Sequence, residues 1–500
     1  MAEEKSPSIS SQTATNSFWS GIGSVSQQLV TFLATLILAR LLPKDVYGLI
    51  AEATIVTGFL VNLKDMGTGA AVVRHPELDR DLLSSIFWFN VLVGSLAALL
   101  VFALAEPVAL FFHEPALFPI VGTLGLSLLF SSIAIVHSSL LTREMTFRRI
   151  TLVENAATLL GYAVGITLAW RGAGVWSIVA ANLTNAASAM VFFYLAHGWK
   201  PRLHFRFADL KPVAHYGLNL SGFIVVNYVS RNGDNAIIGR RLGEIPLANY
   251  NMAYQLMLYP MQGIGGTLGR VLFPALSKLQ ADPVRMQAGY LRACGGLAVI
   301  MFPAMLGLMV TCEPFVWCLL GGEKWLAIVP ILTVLAPVGF LQSVVSPAGN
   351  IYMAVGRTDL LFRLSLVSTT VLLISFFIGV HWGALGVAVA YAIFNVVSFY
   401  PQCALAFRLI GLPFSRFMMV LAPVAAISGA MAGAAFLWRM QLQSWGIGNS
   451  WLMLVSTSLV GAVVYIGLML FFRPAALRGF ASAFAESPSP AFARLGRWIG

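Results

Sequence analysis

The sequence predicts an all-α integral membrane protein of about fourteen transmembrane helices. Three observations predict it. First, 58% of its 500 residues are hydrophobic and only 10% are charged, against about 25% charged in an ordinary soluble domain. A soluble fold of this length would lack the charge to cover its surface, so the apolar excess must face lipid. Second, apolar runs of roughly twenty residues, the length that crosses a bilayer, recur along the chain. Third, the basic residues sit in short loops between those runs, mostly on one side of the predicted membrane.

The fourteen predicted spans are 17–39, 46–63, 83–105, 117–139, 150–170, 174–196, 214–238, 247–274, 288–312, 326–354, 359–380, 384–409, 417–437 and 450–472. With the N-terminus inside, seven of the 31 Lys and Arg residues fall in external segments: Arg40, Lys44, Arg171, Arg240, Arg241, Lys324 and Arg439. Arg231 lies well within a span, and all the others fall in cytoplasmic segments or in the span ends next to them. An odd number of missed spans would invert the later loops and spoil this bias. Both termini are therefore expected in the cytoplasm. The net charge of +11 is explained by topology and not by a nucleic-acid partner, because no basic domain gathers it.

Residues 1–16 read as a cytoplasmic N-terminal tail with no cleavable signal peptide. Residues 473–500 read as a cytoplasmic tail. Within it, Phe492, Leu495, Trp498 and Ile499 beside Arg494 and Arg497 could form a short interfacial helix. Between the tails, sparse repeats suggest two six-span units of parallel orientation. Arg40–Leu41–Leu42 before Tyr47 recurs as Arg240–Arg241–Leu242 before Tyr250. Gly172–Ala173–Gly174–Val175 recurs as Gly383–Ala384–Leu385–Gly386–Val387. The units are residues 17–197 and 214–410, joined by a cytoplasmic linker, 198–213, and followed by two additional helices in 411–472.

A polar residue inside a span is costly, so it usually has a partner or a task. In the seventh span Asn227, Arg231 and Asp234 follow i, i+4, i+7 spacing and share one helical face. Arg231 could attract an anionic group such as a diphosphate, with Asp234 tuning it or carrying a proton. Equally, Arg231 and Asp234 could be a structural pair within the bundle. The eighth span adds Asn251, Tyr254 and Gln255, with Arg270 at the end of a glycine-rich stretch. Gly265 and Gly269 there make a GxxxG pair for close helix packing. Tyr254 could stack on a sugar ring or serve only as packing. Gln27 holds the place in the first span that Asn227 holds in the seventh.

Missing features matter as well. There is no Walker A motif, no zinc-ligand helix and no G-x-S-x-G elbow. No long external loop offers an active site, so the chain reads as a non-enzyme without metal or cofactor. Cys312 and Cys318 flank a predicted external loop and could pair. The plainer expectation is that they, with Cys294 and Cys403, are four buried free thiols.

Three stretches resemble the polysaccharide-transport (Wzx-type) branch of the multidrug/oligosaccharidyl-lipid/polysaccharide (MOP) flippase superfamily. They are Leu38–Ala39–Arg40–Leu41–Leu42–Pro43 with Tyr47–Gly48; Ser230–Arg231–Asn232–Gly233–Asp234–Asn235 with Gly239–Arg240; and Asn249–Tyr250–Asn251–Met252–Ala253–Tyr254–Gln255, continuing through Pro260 to Phe273–Pro274–Ala275–Leu276–Ser277. The likeness covers roughly residues 15–410. It implies two six-helix lobes in a V-shaped bundle, the MOP flippase fold, plus two C-terminal helices. It also implies a multi-pass protein of the bacterial inner membrane that moves undecaprenyl-diphosphate-linked oligosaccharides between leaflets for exopolysaccharide, capsule or O-antigen synthesis. Arg231 and Arg270 match positions that could supply a cationic cavity, and Asp234 matches an acidic position. The first span lacks the internal Arg or Lys of some relatives. The implied partners are that substrate, membrane lipids and other polysaccharide-assembly membrane proteins. The rival readings are a drug/cation antiporter of the same superfamily and a membrane polysaccharide polymerase.

Overall fold

A computed structural model of the chain describes residues 9–63, 68–74, 79–207, 211–280 and 282–485. Among them are seventeen α-helices and no strand. The predicted all-α class is therefore borne out. Ten segments are long and apolar enough to cross a membrane. One of these, Thr358–Ile410, holds two helices, so the ten account for eleven of the predicted spans. The other three predicted spans lie in helices whose faces carry polar groups.

Contact between Cα atoms divides the chain into two compact units, Met1–Ala248 and Asn249–Gly500. In the first unit the helices are α1 (Ile9–Leu41), α2 (Lys44–Leu63), α3 (Thr68–Arg74), α4 (Arg80–Phe112), α5 (Leu117–Arg143), α6 (Phe147–Trp170), α7 (Trp176–His197) and α8 (Lys211–Leu242). Helix α4 packs along α5, α6 along α7, and α1 along α6. Ala53, Val101, Leu117, Ile120, Val121 and Leu128 form a dry core between α2, α4 and α5. The expected boundary at 198–213 falls before α8, whereas the compact units part after it. The reason is local: α8 docks on α2. The Tyr228 hydroxyl donates toward the carbonyl oxygens of Thr54 (3.0 Å) and Ile55 (2.9 Å).

The stretch after α7 is tied down. The Arg202 and Arg206 backbone N–H groups donate to the hydroxyls of Ser84 (3.1 Å) and Ser85 (3.2 Å), both fully buried on α4. Trp88 Nε1 donates to the Arg202 carbonyl at 2.8 Å. These bonds give a loop the backbone partners that a helix would otherwise supply.

The second unit is built on α10 (Pro283–Leu320), a helix of 38 residues. The Asp282 side chain accepts from the Arg285 N–H and Pro283 sits in the first turn, so sequence marks its start. It ends at Gly321 with φ of 105°, a backbone that L side chains rarely adopt. Around it lie α9 (Glu244–Lys278, mostly in this unit), α11 (Val329–Val345), α12 (Ala348–Ala354), α13 (Thr358–Gly379), α14 (Gly383–Ile410), α15 (Phe414–Ser444), α16 (Ser450–Phe472) and α17 (Ala475–Ala485). The predicted span 326–354 is thus broken: α11 stops at Val345 and α12 restarts after Pro347, whose ring cannot donate to the helical ladder.

Helices α15, α16 and α17 all pack on α10. The Tyr465 hydroxyl of α16 donates to the Val299 carbonyl at 2.6 Å. Helix α17 begins the region predicted as a tail and buries Ala476, Leu477 and Ala481. The residues proposed for an interfacial helix, Phe492 to Ile499, lie outside the described residues. All four cysteines are buried and none forms a disulfide. Cys312 and Cys318 sit on one helix, α10, six residues apart and on different faces, a spacing no disulfide spans.

The outer surfaces are apolar. On α16 only 17% of the most apolar window is buried, and Val463, Ile466 and Phe471 are exposed. Soluble helices hide such residues. Here lipid is the environment that accepts them.

Candidate substrate-binding faces

Against this apolar exterior, two helices expose polar residues away from their ends. They lie in different units, and each is described within its own.

In the first unit the face belongs to α8. Asn227 and Arg231 are exposed. Asp234 does not share their exposure. It is only 3% exposed, and its Oδ1 accepts from the Asn235 N–H at 2.8 Å. Asn227, Arg231 and Asp234 share one face of the continuous helix, as their spacing predicts, but that face is exposed at Asn227 and Arg231 and covered at Asp234, where Asn235, Ile237, Ile238 and Gly239 are also buried. Gln27 is half-buried, and its Nε2 donates to Thr158 Oγ1 at 3.3 Å, linking α1 to α6.

The enclosed end of α8 carries chemistry that the sequence reading missed. Glu52 on α2 is 1% exposed, and its Oε2 has no hydrogen-bond partner among the described residues. Its Oε1 lies 3.1 Å from where a Cβ on Gly239 would stand. The neighbouring Arg240 is turned to His113, with Nη1 2.7 Å from Nδ1, and lies 5.5 Å from the centre of the Phe111 ring. A charge within span 46–63 was visible in the sequence, by the same signal that picked out Asp234.

In the second unit the face belongs to α9. Gln255 is exposed, and Asn251 and Tyr254 are half-buried, while Met252, Ala253, Leu256 and Met257 point inward. Tyr254 stacks on the fully buried Tyr250, with ring centres 6.1 Å apart and planes at 11°. Its hydroxyl lies 3.4 Å from the hydroxyl of Tyr391 on α14. Behind it, the Gln342 amide on α11 donates from Nε2 to the Tyr391 hydroxyl and to Asn395 Oδ1, the latter at 3.2 Å. Gln342, Tyr391 and Asn395 were not anticipated. Each is one polar residue in an apolar run, and the partners lie 49 and 53 residues from Gln342 in sequence. The Arg270 side chain lies outside the described residues.

Exposed amide and guanidinium groups in spanning helices are costly against hydrocarbon, where they would lose their hydrogen bonds. Arg231 supplies a cation suited to phosphate oxygens, and α9 supplies neutral donors and acceptors beside an aromatic ring.

A family model described as "Polysaccharide biosynthesis protein" matches residues 37–330. The lipopolysaccharide biosynthesis protein WzxC of Escherichia coli (strain K12) is 28% identical over 394 residues, covering 78% of this chain and 80% of that protein. The succinoglycan biosynthesis transport protein ExoT of Rhizobium meliloti (strain 1021) is 25% identical over 479 residues, 94% of this chain and 96% of that protein. Among solved structures, the Lipid II flippase MurJ in its inward closed conformation superposes with a TM-score of 0.70 at 16% identity. That match covers 93% of this chain and 99% of the other, and it establishes the fold. The family match spans more than half of the chain and contains all three stretches singled out in the sequence, so this chain belongs to the polysaccharide biosynthesis protein family.

Proposed function

We propose that this chain carries lipid-linked oligosaccharide repeat units across the bacterial inner membrane by alternating access. The observation that carries the reading is the exposed polar face on spanning helices, above all the Arg231 cation on α8. A diphosphate with several sugars is expelled from hydrocarbon. Even a single charge at the bilayer centre costs about 2.5–3.5 kcal/mol by insertion scales. A wet cationic cleft replaces the lost hydration, while the polyprenyl tail stays in lipid. Rocking of one helix bundle against another would then open that cleft to each side in turn. The names of the relatives support this reading: one is a lipopolysaccharide biosynthesis protein, one a succinoglycan biosynthesis transport protein, and the structural neighbour a Lipid II flippase.

Cells lacking the gene should accumulate labelled lipid-linked saccharide on the cytoplasmic leaflet, measured by its protection from an added membrane-impermeant reagent. Unchanged distribution between leaflets would contradict the assignment. The basic-loop bias supports an orientation with both termini cytoplasmic. Reporter fusions at residue 1 and residue 500 should both read as internal; opposite readings would refute it.

A further inference from the structure

We propose that Tyr254, Gln342, Tyr391 and Asn395 form a subsite for the neutral, hydroxyl-rich saccharide portion of the substrate, apart from the cation that serves its diphosphate. The proposal rests on the flippase reading and names where the sugars sit.

The four side chains come from three helices, α9, α11 and α14, of one unit. All are uncharged. Three of them, Tyr254, Gln342 and Asn395, are half-buried, so the cluster reaches the surface of the unit. It is continuous with the exposed polar face of α9 at Asn251 and Gln255.

Interhelical hydrogen bonds in membranes often serve only to hold helices together. This network does more than that task requires. Gln342 Nε2 uses both of its protons, one on Tyr391 and one on Asn395. Its Oε1 accepts from no described residue. Asn395 Nδ2 uses one proton on the Tyr391 carbonyl at 2.8 Å and keeps the other. The cluster therefore presents a spare acceptor and a spare donor on neighbouring amides. Left in hydrocarbon, both would cost free energy. A sugar hydroxyl is donor and acceptor at once: it can donate to Gln342 Oε1 and accept from Asn395 Nδ2. The half-buried Tyr254 ring, backed by the fully buried Tyr250, offers its uncovered part to the apolar C–H side of a pyranose ring. A phosphate, which only accepts, would leave Gln342 Oε1 unpaired.

The test measures binding of two probes to the purified full-length chain in nanodiscs. One is undecaprenyl diphosphate. The other is the undecaprenyl-diphosphate-linked saccharide extracted from cells in which the gene has been deleted. The wild-type chain should bind the saccharide-bearing probe about tenfold more tightly, the gain that one or two net hydrogen bonds supply. Tyr391→Phe removes one hydroxyl and Gln342→Leu removes the amide. Either should bring the ratio of the two affinities close to one, while binding of undecaprenyl diphosphate persists. A ratio unchanged in both variants, or a wild-type ratio near one, overturns the subsite while leaving the flippase reading intact. Failure of the wild-type chain to bind either probe overturns the flippase reading itself. The wild-type ratio needs no variant, so poor folding of a substituted chain cannot shield the proposal.

Discussion

Arg231 is the residue on which the proposed function turns, and it was legible because a guanidinium in an apolar run has so few tolerable environments. It is exposed on α8, not packed in the interior. Arg231→Ala should lower surface polysaccharide about tenfold at unchanged protein level, the effect of losing one charge-assisted hydrogen bond. The check is polysaccharide quantified against an immunoblot of the membrane fraction; normal polysaccharide at equal protein would refute the role. Asp234 shows the limit of the same reasoning. Spacing put it on the Asn227–Arg231 face, but spacing does not know where a neighbouring helix closes over that face. Gln342, Tyr391 and Asn395 were illegible for a different reason. Nothing local distinguishes a lone amide that packs from one that joins a network with partners some fifty residues away.

At the scale of elements, the long spans were readable because lipid demands a continuous apolar stretch, and every predicted span overlaps a helix found, though 174–196 starts two residues before α7 and 326–354 is divided between α11 and α12. The short pieces were not. Helix α3 has seven residues and lies between predicted spans, and α17 hides its small apolar face within a region of mixed polarity. The meeting of α2 with the turn between α8 and α9 explains the glycine in the Tyr47–Gly48 stretch. A Cβ on Gly48 would stand 2.1 Å from the Glu244 carbonyl oxygen, a backbone atom that no rotamer change can move aside. Gly48→Ala should therefore destabilise the first unit by about 1–3 kcal/mol, the usual cost of overpacking. Thermal unfolding of the purified variant in detergent would read this as a lowered Tm, and an unchanged Tm would mean the contact gives way freely.

For the whole molecule, the distribution of polarity is the informative quantity. Apolar side chains cover the outside of helices such as α16, while α8 and α9 expose amides and a guanidinium. Composition announced the first half of that pattern and could not give the second, which depends on how each helix is rotated about its axis. Where the two compact units part was also hidden. The linker looks like a boundary in sequence, yet its backbone is bound to α4 and the helix after it docks on α2.

The central claim is movement of a lipid-linked saccharide between leaflets, and reconstitution measures it directly. Purified chain in liposomes, given undecaprenyl-diphosphate-linked saccharide in the outer leaflet only, should make that lipid inaccessible to an external glycosidase faster than protein-free liposomes do, with Arg231→Ala slower. Equal rates with and without protein would contradict the account.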